Sequence, residues 1–246
     1  MPEISKSLLA IVGDTFYNID TLGGVILSTS ISNIMSGPSS IVWDRVGLFD
    51  SKEDYTRNGV VVNGTLIYFA TSGGAVYLFD TNKKTVTDIG GVCEYSHYAS
   101  LAIVDNILFI HKCYYFFSYD GNRIQELVSP ERRYDAGLFR FQDSICRVGG
   151  NKTDEFPDPV RCLGTKGGHI WEIMSYIKEA RREPGVVTAG SKIYIFGGEA
   201  EYNSGNPPNF WRTSVEVFDS ETKTWNYIPS PFNTPPERPQ AIFFSF

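Results

Sequence analysis

The fold is decided by residues 193–225, which contain Ile193-Tyr-Ile-Phe-Gly-Gly198 and then Val215-Glu-Val-Phe-Asp-Ser-Glu-Thr-Lys-Thr-Trp225. The two apolar runs have the length and the aromatic and β-branched content of strands. A Gly-Gly pair lets the backbone turn sharply where a Cβ atom would clash. Asp219 can close a turn by accepting backbone N–H groups, and Trp225 supplies a large ring to bury in a further strand. The stretch therefore predicts three consecutive β-strands.

A strand, a tight turn and a second strand recur five times along the chain. The copies begin at Leu9, Val60, Leu101, Leu138 and Val186. Several of their turns contain residues that tolerate the positive φ angles of two-residue hairpins. A third strand that ends in Asp and an outer fourth strand follow in most copies, as at Val76–Asp80. Four short strands repeated every ~45 residues are typical of a β-propeller blade, so we expect an all-β propeller of about five four-stranded blades.

The repeats cover nearly the whole chain and predict a single domain over residues 1–246. Their approximate bounds are 7–57, 58–98, 99–135, 136–184 and 185–240, with a final strand at 241–246. The final strand either completes the N-terminal blade or leaves Leu9–Val12 as the start of an incomplete sixth blade. In the first repeat, residues 43–51 are similar to residues 211–220, which predicts that they form the third strand.

The last repeat resembles the kelch repeat, which has a double glycine after the second strand, an aromatic-Asp pair ending the third, and a Trp in the fourth. This resemblance assigns structural roles to Gly149, Gly150, Gly197, Gly198, Asp219 and Trp225. It implies a kelch-type propeller that binds protein partners as an adaptor, a scaffold or a substrate receptor of a ubiquitin ligase. Such receptors recruit the ligase through a BTB or F-box segment, for which the residues before Leu8 leave no room. We therefore expect a bare propeller or a fragment of a longer protein.

Composition narrows the classes of partner and the location. The 246 residues carry a formal net charge of −6 and a pI of about 5.1, which disfavours binding to a nucleic-acid backbone. We expect no membrane association, because there is no run of ~18 apolar residues, and we expect a cytoplasmic location. The four cysteines form no C-x-x-C pair, so we interpret them as reduced, buried thiols.

Four arginines, Arg57, Arg133, Arg182 and Arg238, each precede an innermost strand. In a propeller these positions converge on one end of the central channel. One interpretation is structural, with the arginines linking neighbouring blades. The other is functional, with the arginines gripping an acidic peptide of a protein partner through bidentate bonds to carboxylates. Long loops between second and third strands add Tyr202 and Phe210 as candidate partner-binding residues.

Catalytic signals are sparse. The three histidines lie in different repeats without the spacing of metal ligands, so we predict no catalytic residues, no metal and no cofactor. An alternative class is a propeller enzyme acting on sugars or small metabolites, which would place carboxylates in the central funnel. Asp14, Asp105 and Asp143 occupy hairpin turns, while Glu131 and Asp135 are less constrained candidates. A third alternative is a degenerate kelch protein that competes with a longer relative.

Overall fold

The computed structural model describes residues 7–37, 41–50, 59–71, 74–92, 99–129, 131, 133–150, 158–165, 170–200, 211–230 and 244–245. The described part holds one short helix, α1 (Ile31–Met35), which is too short to cross a membrane. The strands are β1 (Ser7–Val12), β2 (Thr15–Asp20), β3 (Val25–Ser30), β4 (Asp44–Leu48), β5 (Val60–Asn63), β6 (Leu66–Ala70), β7 (Ala75–Asp80), β8 (Thr85–Gly91), β9 (Ala99–Val104), β10 (Ile107–Lys112), β11 (Tyr115–Tyr119), β12 (Ile124–Leu127), β13 (Gly137–Phe141), β14 (Ser144–Val148), β15 (Pro159–Gly164), β16 (Trp171–Tyr176), β17 (Gly185–Ala189), β18 (Lys192–Phe196), β19 (Val215–Asp219), β20 (Thr224–Ile228) and β21 (Phe244–Ser245).

The strands form five antiparallel meanders of four consecutive strands, β1–β4, β5–β8, β9–β12, β13–β16 and β17–β20, and each meander falls within one sequence repeat. We number these sheets one to five in chain order. Short hairpins hold the register because each two-residue turn places both strands opposite each other. The all-β class with four-stranded, blade-like sheets is confirmed.

The chain divides into two compact units, Met1–Leu101 with Ile242–Phe246, and Ala102–Ala241. The first unit contains sheets one and two, and the second contains sheets four and five and most of sheet three. The single domain over residues 1–246 stays a prediction.

In the first unit, sheets one and two pack face to face around a core that includes Ile19, Ile26, Phe69 and Phe79. The last strand, β21, pairs with β1 in parallel, with Ile11 opposite Phe244. Within the described residues, the final strand therefore joins the first sheet as a fifth strand, which is the first of the two arrangements expected from the sequence.

One prediction for sheet one is wrong. Residues 43–51 were expected to hold its third strand, but β4 is the fourth strand and β3 is the third. The turn between β2 and β3 explains the difference, because Asp20 Oδ1 accepts the backbone N–H groups of Leu22 at 3.0 Å and Gly23 at 2.9 Å. In this sheet the turn-closing Asp thus comes one hairpin earlier than in sheets two, three and five, where it is Asp80, Asp120 and Asp219.

In the second unit, apolar side chains fill the space between successive sheets. Phe109, Phe116, Leu138 and Ile145 pack between sheets three and four. A second cluster, which contains Phe139 and Trp225, packs between sheets four and five. Sheet four is thus covered on both faces, which explains why adjacent residues of one strand, such as Leu138 and Phe139 of β13, are both apolar and buried.

The cysteine prediction is wrong. Cys146 on β14 and Cys162 on β15 are opposite each other in register and form a disulfide. Cys113 is also disulfide-bonded. Sequence spacing could not reveal the bond, because the two cysteines are 16 residues apart and meet only through the pairing of their strands.

Candidate functional site

Two tryptophans of the outer strands dock onto the preceding sheet in the same way. Trp225 is 5% exposed, and its indole N–H donates to Ser175 Oγ of sheet four at 2.9 Å. Trp171 of sheet four packs edge-on against Phe116 of sheet three, with ring centroids 5.0 Å apart, and donates to the Val128 carbonyl at 2.9 Å. Each ring therefore ties an outer strand to its neighbouring sheet.

The turn and glycine residues of the last repeat have local, geometric roles. Asp219 Oδ1 accepts the backbone N–H groups of Glu221 at 2.9 Å and Thr222 at 3.3 Å, as an Asx-turn requires. Gly149 has a φ of +70°, and a Cβ there would lie 2.4 Å from the Arg181 carbonyl. Gly198 has a φ of +84°, and a Cβ there would lie 2.8 Å from the Arg182 carbonyl. Both glycines let the loop that follows a second strand contact the loop that precedes β17.

A fully buried ion pair stands at this loop contact in sheet five. The side chains of Arg181 and Glu216 are both 0% exposed, and Arg181 Nη2 lies 3.0 Å from Glu216 Oε1. Arg181 also donates to the Gly197 carbonyl at 2.8 Å and to Ser214 Oγ at 2.9 Å. Glu216 accepts the backbone N–H of Lys178 at 2.7 Å. The pair thus joins the β16–β17 loop to β19 and to the glycine pair.

A second arginine cluster repeats this arrangement in sheet four. The Arg133 side chain is 2% exposed, pairs with Asp158, and lies with its Nε 2.9 Å from Glu131 Oε1. Glu131 also accepts from Arg147 at 2.9 Å and from Arg161 at 3.2 Å. Burial lowers the pKa of Arg147 to about 10, with Glu131 acting in the opposite direction.

The two clusters show which arginines occupy equivalent positions in sheets four and five. Arg133 and Arg181 each donate to the first glycine of a pair that follows 16 residues later, Gly149 and Gly197. Arg181 is therefore the counterpart of Arg133, whereas Arg182 corresponds to Tyr134. For Arg133 the contacts are those of the structural interpretation, since its side chain is buried among carboxylates. Its binding to a partner stays a prediction.

Four other candidates lie outside the described residues, namely Arg57, Arg238, Tyr202 and Phe210.

Arg182, Tyr134 and Tyr114 form a surface at the same loops, which we call the Arg182 surface. The Arg182 guanidinium carbon lies 5.7 Å from the centroid of the Tyr134 ring, and the Tyr114 ring meets Tyr134 edge to face at 5.5 Å. Tyr114 is 45% exposed, and the Arg182 side chain is 31% exposed.

Three carboxylates hold the guanidinium of Arg182 in place. Asp135 Oδ2 lies 2.9 Å from its Nε, while oxygens of Glu183 and Glu199 lie 3.7 Å from Nη2 and Nη1. Asp135 and Glu183 are themselves almost completely buried. The surface is thus an ordered set of two tyrosines and an arginine with acidic groups beneath.

Sequence reasoning considered Arg181 and chose its neighbour Arg182, and it missed Glu216, Tyr114 and Tyr134. A signal for Arg181 was present, since Glu131-Arg-Arg133-Tyr-Asp135 and Glu179-Ala-Arg181-Arg-Glu183 share acidic residues on both sides of the buried arginine. Tyr114 stands where a kelch glycine pair is replaced, and the chain offers no local pattern that would mark it as part of a surface.

The histidine and carboxylate candidates for catalysis have the following surroundings in the described part of the chain. No cluster of three or more His, Cys, Asp or Glu side chains there could hold a metal ion. His111 is completely buried, and burial, followed by the charge of Arg147, lowers its pKa to about 3. Asp105, one of the carboxylates considered for an enzyme, lies in a hairpin turn with a φ of +51° and 4.0 Å from Arg140. His97 and His169 lie outside the described residues.

Comparison with known protein families matches residues 180–231 to the kelch motif. These residues include the buried Arg181, the glycine pair, Asp219 and Trp225 described above. Residues 180–231 therefore carry a kelch motif. The sequence prediction of a kelch relationship is therefore confirmed.

Curated relatives that match part of this chain include F-box/kelch-repeat proteins of Arabidopsis thaliana. One is 29% identical over 96 residues, which is 39% of this chain and 33% of the relative. Another is 30% identical over 82 residues, covering 33% of this chain and 20% of the relative. A third, also with F-box/kelch-repeat in its name, is 27% identical over 120 residues, or 49% of this chain and 38% of the relative. The matches thus span between 20% and 38% of the relatives' lengths.

Among solved structures, that of YjhT aligns with a TM-score of 0.60 and 14% sequence identity, covering 74% of this chain and 67% of YjhT. At this identity the likeness concerns the fold alone. Together with the kelch motif and the five meanders, it establishes the kelch-type propeller class.

Proposed function

We propose that this kelch-repeat chain is a protein-interaction module and that its partner binds the Arg182 surface. The observation that carries the proposal is the ordered group of Tyr114, Tyr134 and Arg182, because Tyr and Arg dominate the energetics of protein interfaces. The similarity to F-box/kelch-repeat proteins supports the same class of function. An adaptor or scaffold role, including substrate recognition for a ubiquitin ligase, is the finer form of this proposal.

The fixed conformation of the two loops that carry Tyr134 and Arg182 favours binding of a partner to the Arg182 surface. Tyr134 and Arg182 each follow a buried arginine, Arg133 and Arg181, whose guanidinium groups fix the backbone of both loops. A surface that is already ordered loses less conformational entropy when a partner binds. Two adjacent arginines therefore have different roles: Arg181 stabilises the loop, and Arg182 contacts the partner.

An acidic segment of the partner was expected from the sequence. Its carboxylate would accept from Nη1 and Nη2 of Arg182, whose present contacts with Glu199 and Glu183, at 3.7 Å, exceed hydrogen-bonding distance. Three carboxylates near one guanidinium oppose such a group electrostatically. We therefore assign most of the binding energy to the tyrosines, with an acidic group as a secondary contact.

The test is quantitative capture of partners from a lysate by wild type, Tyr114→Ala, Arg182→Ala and the control Tyr227→Ala. Tyr227 is 49% exposed and lies on β20 of sheet five, so its truncation matches that of Tyr114 in size and exposure. We expect the captured amount of a discrete partner to fall at least ~10-fold with Tyr114→Ala and Arg182→Ala, the loss typical of interface hot spots, and to stay unchanged with Tyr227→Ala.

Thermal unfolding of each variant shows that the loss of capture is not a loss of folding. Partner capture that is indifferent to both Tyr114→Ala and Arg182→Ala would contradict the proposed surface. An acidic contact predicts in addition that capture weakens as salt concentration rises, and salt-independent capture would leave the tyrosines as the binding groups.

A further inference from the structure

An open groove of about 450 Å³ lies along sheet four, in the second unit. This volume falls in the range of small-ligand sites. Its walls include the apolar side chains of Phe141, Ile170 and Ile173, together with the sulfur-containing side chains of Cys162 and Met174. The groove contains no residue of the Arg182 surface, so what it binds is independent of the proposed function.

The groove gives access to one end of the Cys146–Cys162 disulfide. Cys162 lines the groove and is partly exposed, with its Sγ 3.8 Å from Met174 Sδ. Cys146 is 0% exposed and belongs to the apolar cluster between sheets four and five. Since exchange requires a thiolate to reach a sulfur atom, the two sulfurs of this bond differ sharply in reactivity.

We propose that this groove is a thiol–disulfide exchange site at which a small thiol attacks Cys162. The incoming thiol loses its proton to solvent, and its thiolate bonds to Cys162 Sγ. The bond between the two cysteine sulfurs breaks, and its electron pair leaves with Cys146. The buried Cys146 thiolate then takes a proton from solvent, because apolar surroundings raise the pKa of a thiol. The products are a mixed disulfide on Cys162 and a free Cys146 thiol.

The charge in the groove selects the class of thiol. Glu172 on β16 stands opposite Cys162 in register, so both side chains project from the same face of the sheet. Among the described lining residues Glu172 alone is charged, and it is exposed. Its carboxylate attracts a cationic thiol and repels an anionic one. The site therefore favours a small aminothiol over a thiol that carries a carboxylate or a sulfonate.

Exchange at Cys162 affects the strands that lead to a buried arginine cluster. β14 ends one residue before Gly149, and β15 begins one residue after Asp158, and both Gly149 and Asp158 contact Arg133. Opening the disulfide removes the covalent link between these two strands. In the cytoplasm, the location expected from composition, small thiols would be the reactants, and that location stays a prediction.

The test exposes the folded, oxidised protein to cysteamine or to 2-mercaptoethanesulfonate, traps free thiols with N-ethylmaleimide, and maps adducts by peptide mass spectrometry. We expect the mixed disulfide on Cys162, and we expect the maleimide on Cys146 only when labelling is done in urea after the small thiol has been removed, because Cys146 is buried in the folded protein. The rate of adduct formation, divided by the thiolate fraction of each reagent, should be several-fold higher for cysteamine than for 2-mercaptoethanesulfonate at low salt. A single nearby charge, here that of Glu172, produces an effect of this size. Glu172→Gln should abolish this preference, and Glu126→Gln, an exposed acid on β12, should retain it.

Two outcomes would overturn the proposal. One is a small-thiol adduct on Cys146, or equal amounts of that adduct on the two cysteines. Either result would mean that the groove does not direct the attack. The other is exchange that appears only when urea unfolds the protein, because the site would then be closed in the native state. Persistence of the cysteamine preference in Glu172→Gln would remove the charge selectivity assigned to the site.

Discussion

At the scale of single residues, the free-energy cost of burying charged groups determines which contacts the arginine clusters must make. Moving two ions out of water costs several kcal/mol each, and their mutual attraction offsets that cost only where further hydrogen bonds are made. Glu216 meets this condition through backbone N–H groups of Lys178 and Glu179, and Arg181 through the Gly197 carbonyl. Removing either ion leaves the other buried without its counter-charge.

Arg181→Met should therefore lower the free energy of unfolding by ~3–5 kcal/mol, because Glu216 would stay buried and uncompensated. Urea denaturation measures the change. Arg140→Met is the matched control, since that side chain is 51% exposed and its pairing with Asp105, at 4.0 Å, contributes at most ~1 kcal/mol. Equal losses in the two variants would contradict a special role for the buried pair.

The sequence predicted those single residues whose role depends on nearby chain. The turn at Asp219 involves backbone groups only two and three residues away. The choice between Arg181 and Arg182, by contrast, is made by Glu216, which is 35 residues distant and reaches Arg181 only through the sheet. Local pattern cannot distinguish two adjacent arginines when a tertiary contact decides which one is buried.

At the scale of elements, hairpin patterns predicted four strands in each repeat, because apolar runs and turn residues are both local signals. They failed at β4. Residues 43–51 are similar to a third strand, and the sequence pattern of the true third strand, β3, is less obvious. They also failed at the link between β14 and β15, since a disulfide depends on which residues face each other across two paired strands. The position of a strand can be predicted from local sequence, whereas the residues that face each other across two paired strands depend on the tertiary fold.

The disulfide between β14 and β15 should stabilise the native protein by ~3 kcal/mol, the value expected when a loop of this length is closed in the unfolded chain. A Cys146→Ala/Cys162→Ala variant should lose that amount in urea unfolding under oxidising conditions. Cys162→Ala alone should lose a similar amount, because it breaks the same bond. Unchanged stability in both variants would show that the link contributes nothing to sheet four.

At the scale of the whole molecule, stability should fall in mild acid because of His111. Its pKa is lowered to about 3 in the folded state, against ~6.5 in an unfolded chain. Between these values the unfolded state binds the proton more readily, so folding is fully favoured above pH 6.5 and weakens as pH falls, by up to ~1.4 kcal/mol per pH unit.

Urea unfolding at pH 7, 6 and 5 tests this dependence, and His111→Gln should flatten it. Backbone N–H groups lower the pKa values of Asp80 and Asp120, so their contribution appears only below ~pH 4. The chosen pH range therefore lies above the titration of these two aspartates, and the His111→Gln comparison separates the histidine from the remaining groups. Identical pH dependence in wild type and His111→Gln would assign the acid sensitivity to other groups.

The parallel pairing of β21 with β1 also has a consequence for the order of folding. Within each four-stranded meander every strand meets its sequence neighbour, so the loops to be closed are short and their entropy cost is small. Ile11 and Phe244 lie near opposite ends of the chain, and bringing them together restricts almost every residue between them. Contacts between residues far apart in sequence form slowly. We therefore expect β21 to join sheet one only after the intervening meanders have folded and shortened the effective chain length between Ile11 and Phe244.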